Sequence, residues 1–420
     1  MSSEQEPRHS GHPISRREML KLIGIGAVGV ALGSGGILAA PGVRSLIDEH
    51  PTNQNKVSFY GKHQSGILTP HPRYVYFAAL HCEATSRSEL RELLQRWTED
   101  SVRMMNGENL AHAGNVLLPP DDTGETKGLN AARLTLTYGL GLSLFERAEY
   151  GLQAKRPAEF VALPHFPRDQ LDSRYTGGDL CIQACADDPQ VAFHAVRNLV
   201  RAARGKVTMK WSQAGFNSYP VHKGKEETPR NLFAFKDGTG NPDVNNSQEM
   251  QDVVWVGAGA SQSWLANGTY MVVRKIQMHL ETWDRTSLKA QEHTFGRHRD
   301  SGAPLGKQRE FEEMELGRTD EGGNPVVPID SHVHLAKQVK DRILRRSFSY
   351  TNDIDPQTGH FDAGLLFVSY QRDPGQFVRI QNQLGRADKL NEYITHRGSG
   401  LFVCLPGAAK GSYLGAGLLD

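Results

Sequence analysis

The chain has 420 residues, 38% of them hydrophobic, enough for a large core and for two domains. Its 48 basic and 47 acidic side chains leave a formal charge of +1, so no electrostatic reason exists to expect nucleic acid or an anionic membrane surface as partner. Four cysteines are too few for a disulfide scaffold.

The first element in chain order is an address. Ser15-Arg16-Arg17-Glu18-Met19-Leu20-Lys21 sets two arginines before an apolar run, Leu22 to Ala40, rich in Gly and Ala. The pattern resembles a twin-arginine export signal over residues 1–40, with Met19 where Phe is commoner. The run approaches the roughly 20 residues that span a bilayer, but its glycines make it a weak anchor, and Ala39-Ala40-Pro41-Gly42 suits cleavage nearby. This predicts a periplasmic or cell-wall-side location, with retention at the membrane as the alternative. Twin-arginine export serves proteins that fold, often around a cofactor, before crossing.

Residues 41–72 read as a polar linker. Beyond it, strands are expected over Arg73–Cys82, Leu134–Leu140, Asp179–Ala186 and Val207–Gln213. Helices are expected over Ser86–Met105, with Ser86 or Ser88 as N-cap, and over Pro189–Ala203, with Pro189 in the first turn. Cys181 and Cys185 share a strand face but lie roughly 13 Å apart, too far for a disulfide, and read as buried structural residues. A second half repeats this grammar. Strands are expected at Gly268–Leu280, Leu365–Tyr370 and Gly400–Leu405, and a helix at Gly375–Leu384. Between them, about 285–330 lacks apolar periodicity and reads as a long functional loop. The alternation favours α+β, with two ferredoxin-like βαββαβ domains over 73–225 and 226–420 and antiparallel sheets.

Four strings in the second half can carry chemistry. Phe235-Lys236-Asp237-Gly238-Thr239-Gly240-Asn241-Pro242 is a tight loop on which backbone approaches a flat ligand closely. It lacks the phosphate-loop pattern, and the single Asp-Gly-Thr-Gly does not supply the paired acids of an aspartic protease. A turn capped by Asp is its plain alternative. Asp330-Ser331-His332-Val333-His334 offers two histidines that share a face on a strand, as for zinc or copper, and point apart on a helix. Arg345-Arg346 can place a guanidinium in an anionic or peroxide-binding pocket, or be a solvated face. Phe367-Val368-Ser369-Tyr370-Gln371-Arg372-Asp373 puts an acid at the end of a buried strand.

Together and in this order these strings resemble the dye-decolourising (Dyp-type) haem peroxidase family. The distal signature Gly-x-x-Asp-Gly is matched by Asp237-Gly238, with Phe233 or Ala234 where the leading Gly is usual. Phe295-Gly296-Arg297, Ser301-Gly302-Ala303-Pro304-Leu305 and Asp362-Ala363-Gly364-Leu365-Leu366-Phe367 are similar to the same family. With the export signal, the chain looks closest to the deferrochelatase/peroxidase branch of bacterial iron uptake. The resemblance implies haem b, one per chain, with His332 as axial iron ligand, Asp237 as distal acid and Arg345 as distal arginine. Gly238, Thr239 and Gly240 would border the haem, and Asp373 would hold His332. Ser347 stands where some branches carry Asn. Relatives often place Pro-Arg shortly after the ligand; here Lys337-Gln338 follow and become the candidates for pairing with the propionates.

Such a set suits peroxide chemistry. One axial His leaves the sixth iron position open, and a carboxylate on its other nitrogen makes it more electron-donating. An aspartate remains a base in mildly acid solution, since its reference pKa is about 3.9, so turnover is expected to be fastest in acid. The expected partners are hydrogen peroxide and a reducing substrate (a dye, phenol or ferrous iron), a membrane iron permease, an exported iron-uptake component and further copies of the chain. Electrons from bulky dyes would enter through one of five Trp or 12 Tyr, among which sequence does not choose. The competing functions are a deferrochelatase that takes iron from haem and leaves the porphyrin intact, and a His-x-His metal-binding protein without haem.

Overall fold

The computed structural model describes residues 55–420, except 111–115, 223–224 and 357. The twin-arginine segment and the first part of the linker lie outside the described residues. From 55 onward the linker expectation is corrected. Phe59 and Ile67 are buried there. The Gln64 amide donates to the carbonyls of Tyr138 and Leu405 (2.9 Å each) and accepts from Tyr138 N at 2.8 Å. A polar stretch is thus tied to two strands by satisfying backbone groups, a device that hydrophobic patterning does not report.

The first half runs β1 (Tyr74–Cys82), α1 (Arg87–Met105), β2 (Thr135–Gly141), β3 (Leu180–Ala186), α2 (Pro189–Ala202) and β4 (Val207–Phe216). The helix starts follow local chemistry. Ser86 accepts from Glu89 N, and Asp188 accepts from Gln190 N and Val191 N ahead of Pro189. The second half runs β5 (Thr269–Met278), α3 (Leu288–Phe295), α4 (His332–Gln338), β6 (Phe348–Ile354), β7 (Phe361–Gln371), α5 (Pro374–Ala387) and β8 (Ile394–Cys404). The expected loop of 285–330 therefore contains one helix. Ser287 caps α3 and Gly296 ends it in the left-handed region (φ 82), but only Gln291, Thr294 and Phe295 are buried, too few to give a visible period.

Each half is a βαββαβ unit, with strand order β2-β3-β1-β4 in the first and β8-β5-β7-β6 in the second. They do not form two separate sheets. Phe402 and Val403 of β8 pair with Gly141 and Leu140 of β2, and Phe216 of β4 pairs with Ser349 of β6. These joints make one ring of eight antiparallel strands, and a two-residue strand, Leu344–Arg345, adds onto β7. Side chains alternate as the pleat requires. Val75, Phe77, Ala79, Val273, Leu366, Val368 and Phe402 fill the ring. Ala78, Leu80, Leu136, Tyr138 and Ile182 face outward into a core with α1 and α2. All four cysteines are buried and free. Among the described residues no helix is long and apolar enough to cross a membrane.

Candidate active site

The outer face of the second half holds a cavity of about 740 Å³, within the usual range for a small-molecule or cofactor site. Its floor is the outward face of β5 and β7, with Arg274, Ile276, Met278, Leu365 and Phe367, and its walls come from α4, α5 and the 231–241 loop. His332, Asp237, Gly238, Thr239, Gly240, Arg345 and Lys337 all border it. Gln338 does not: its amide oxygen accepts from Gln383.

His332 opens α4. Its side chain is 27% exposed, and Nδ1 lies 2.6 Å from Asp388 Oδ2, which leaves Nε2 as the nitrogen free for a ligand. Burial lowers the His332 pKa, but the Asp388 charge and hydrogen bond outweigh it and hold the imidazole above its usual value. The acid beside His332 is therefore Asp388 and not Asp373. Asp373 is the N-cap of α5: it accepts from Gly375 N at 2.6 Å, and its own N–H donates to Gln376 Oε1 in a capping box. Asp388 lies just past the other end of that helix, where its Oδ1 accepts from Leu390 N. His334 points away from the cavity, buried with Nδ1 unpartnered, as the helical alternative requires. Among the described residues no group of three or more His, Cys, Asp or Glu is arranged to hold a metal ion.

On the loop side, Arg345 Nη1 donates to Asp237 Oδ1 at 3.0 Å. Asn241 fixes the arginine's backbone from both directions, Nδ2 to Arg345 O at 2.8 Å and Oδ1 from Arg345 N at 3.1 Å. The 231–241 turn carries Ala234 at φ 67 and Gly238 at φ 135. Ala234, at the place of the family's leading Gly, thus keeps a left-handed backbone that glycine would adopt without cost. Ser347 lines a neighbouring cavity, and its carbonyl accepts from Asn217.

Sequence reasoning missed Glu310. Its carboxylate, 9% exposed, accepts from Lys236 Nζ (2.6 Å), Thr228 Oγ1 (2.5 Å) and Thr239 Oγ1 (2.8 Å), so it clasps the turn on both sides of Asp237. Arg297 donates to the carbonyls of Glu310 and Gly302 and ties the 285–330 segment to itself. Phe235 stacks on Phe295 at 4.1 Å, and Phe295 lies 6.2 Å from His332, so loop and helix share one aromatic wall. Of the five tryptophans, Trp283 packs on that wall against Phe233, Phe235 and Phe295.

These residues fit a haem. The cavity has apolar aromatic walls for a flat ring, an imidazole nitrogen left free by Asp388, and lysines 337 and 340, without ion pairs among the described residues, for two carboxylates. Comparison with known proteins decides the assignment. The family model described as the Dyp-type peroxidase C-terminal part matches residues 228–409, and its N-terminal counterpart matches 64–217. The chain belongs to the Dyp-type peroxidase family. Membership makes it a haem peroxidase enzyme. A Dyp-type peroxidase from Streptomyces coelicolor superposes with a TM-score of 0.81 at 39% identity, covering 88% of this chain and 98% of that one. Ferric DtpA from Streptomyces lividans does so at 0.80 and 39%, covering 88% and 99%. Among curated relatives, the deferrochelatase of Shigella sonnei is 37% identical, over 96% of this chain and 97% of that protein. That of Yersinia pseudotuberculosis is 36% identical, over 97% and 95%.

Proposed function

We propose that this Dyp-type peroxidase is exported by the twin-arginine route, binds one haem b per chain through His332, and uses hydrogen peroxide to oxidise dyes, phenols or ferrous iron in a bacterial iron-uptake system. The observation that carries the reading is the pairing, around one cavity, of an Asp388-supported imidazole with an Asp237–Arg345 acid–cation pair.

Haem supplies the redox chemistry. The chain supplies the rest. Asp388 holds the proton on Nδ1 of His332 and so leaves Nε2 as the nitrogen that would ligate the haem iron. Lys337, which lines the cavity, would pair with a haem propionate. Asp237 takes a proton from the incoming peroxide and returns it to the departing oxygen, a step that positioned bases speed by roughly 10²–10⁴. Arg345 meets the negative charge that grows on that oxygen, and Asn241 and Glu310 hold the pair in register. Export rests on Arg16-Arg17 and the Gly/Ala run behind them. A membrane iron permease, an exported iron-uptake component and further copies of the chain are the partners proposed.

A second reading, release of iron from haem with the porphyrin intact, is favoured by full-length relatives named deferrochelatase. Peroxide dependence separates the two, since only the peroxidase consumes peroxide in step with product. The first test is the visible spectrum of protein expressed with haem, beside His332→Ala. A Soret band lost or strongly shifted in the variant is expected; an unchanged band would remove His332 as the ligand.

A further inference from the structure

Arg345 and Arg346 are consecutive, and consecutive side chains of extended chain face opposite ways. Arg345 faces the haem cavity. Arg346 turns into the ring end, 4% exposed, and the groups whose charge it feels are Cys185, Tyr370 and Tyr219. Cys185 and Tyr370 belong to the ring's interior core. Its one side-chain bond is from Nη1 to the Thr69 carbonyl at 2.7 Å. Nε and Nη2 have no partner, and neither has the buried Thr69 Oγ1.

Two features of this arrangement point to a ligand. Nε and Nη2 form one edge of the guanidinium, the edge that grips an anion with two parallel N–H bonds. No carboxylate is among the groups whose charge acts on Arg346; Glu226, Glu227 and Asp237 line the adjoining cavity instead. Burial pushes the Cys185 thiol up to about 12 and Tyr370 well above its usual value. Burial first, and Arg346 second, hold the neighbouring His71 neutral, down to about 3. A buried guanidinium with an idle fork and no carboxylate in reach is costly without a counter-charge. His71 and Tyr219 in turn line a cavity of about 320 Å³, which shares Asp237, Gly238, Asn241 and Arg345 with the haem cavity.

We propose that Arg346 and Thr69 bind a small monovalent inorganic anion, of the halide or nitrate class, at the end of the ring behind the Asp237–Arg345 pair. The guanidinium fork donates twice and the Thr69 hydroxyl once.

The test uses the haem-loaded full chain. Crystals soaked in bromide should show an anomalous peak within hydrogen-bond reach of Arg346. At constant ionic strength set with gluconate, the Tm should rise with chloride and then level off, with the Soret band unchanged, which separates this site from binding at the iron. Nitrate in place of chloride tells whether the fork prefers a planar oxyanion. Arg346→Met should abolish the dependence; should that variant not fold, Thr69→Val reads the same site and should raise the half-saturating chloride several-fold. A Tm independent of both anions, or bromide found only elsewhere, overturns the proposal, and an unchanged midpoint in Thr69→Val removes Thr69 from it.

Discussion

Two aspartates on one helix separate two kinds of work. Asp373 satisfies the first-turn N–H groups of α5, while Asp388, 15 positions later, faces His332. The consequences of losing them differ. Asp388→Asn should keep a Soret band but raise the reduction potential of the bound iron and lower kcat/KM for peroxide by roughly 10- to 100-fold, as for other partners of metal-bound histidine. Asp373→Ala should leave spectrum and potential alone and lower stability by about 1 kcal/mol, the usual worth of a cap. Spectroelectrochemistry and thermal melts of both variants check this; a potential that moves in Asp373→Ala and not in Asp388→Asn would restore the sequence-based assignment.

At the scale of elements, the 285–330 segment is a clamp on the 231–241 turn, and Glu310 is its point of attachment. Glu310→Gln leaves Lys236, 10% exposed, without its closest counter-charge and lets the turn shift. Small displacements of reacting groups cost up to about 10² in rate, so kcat/KM for peroxide should fall by that order while the His332-dependent Soret band stays. The pH dependence has a definite sign. Burial pushes the Glu310 carboxyl up, but the bonds from Lys236, Thr228 and Thr239 outweigh it and hold it below its ordinary 4.5. Its stabilisation is therefore complete above pH 4.5 and is lost as pH falls below that value. Melts against pH should show a steeper acid decline for the parent than for Glu310→Gln; parallel curves would take Glu310 out of the acid response.

For the whole molecule, the closed ring is the frame on which both cavities rest, and its closest backbone approaches are made by glycine. A Cβ on Gly364 of β7 would lie 1.9 Å from the Ile276 carbonyl oxygen of β5, a backbone atom that cannot step aside without breaking the pairing. Gly364→Ala should cost several kcal/mol and leave little haem-loaded protein, because the cavity floor is the outer face of those same two strands. Gly257→Ala, with nothing within 4 Å of the added atom, should be close to neutral. The Soret-to-protein absorbance ratio and the Tm of the two variants make the comparison; similar values for both would show that the ring tolerates an open seam.

The sequence by itself determined most of the elements, α3 and β6 excepted, and the ordered strings of the site. Alternating apolar residues over Tyr74–Cys82 and Leu180–Ala186, the caps Ser86 and Asp188, and the glycine-flanked Asp237 act through local backbone preferences, and local preferences are written in consecutive residues. What joined the two βαββαβ halves was not legible, since the β2–β8 and β4–β6 joints rest on one or two residue pairs between segments far apart in the chain. The same holds for the site's supports. Asp388 follows Arg386 and Ala387 at an unremarked helix end, Glu310 sits in a segment without period, and Asn241 was visible only as part of a motif. Each acts across 56 or more positions, on His332, Lys236 and Arg345 respectively. Tertiary structure decided these because a hydrogen bond across space needs two ends brought within about 3.2 Å, and nothing in either end's own neighbourhood names the other.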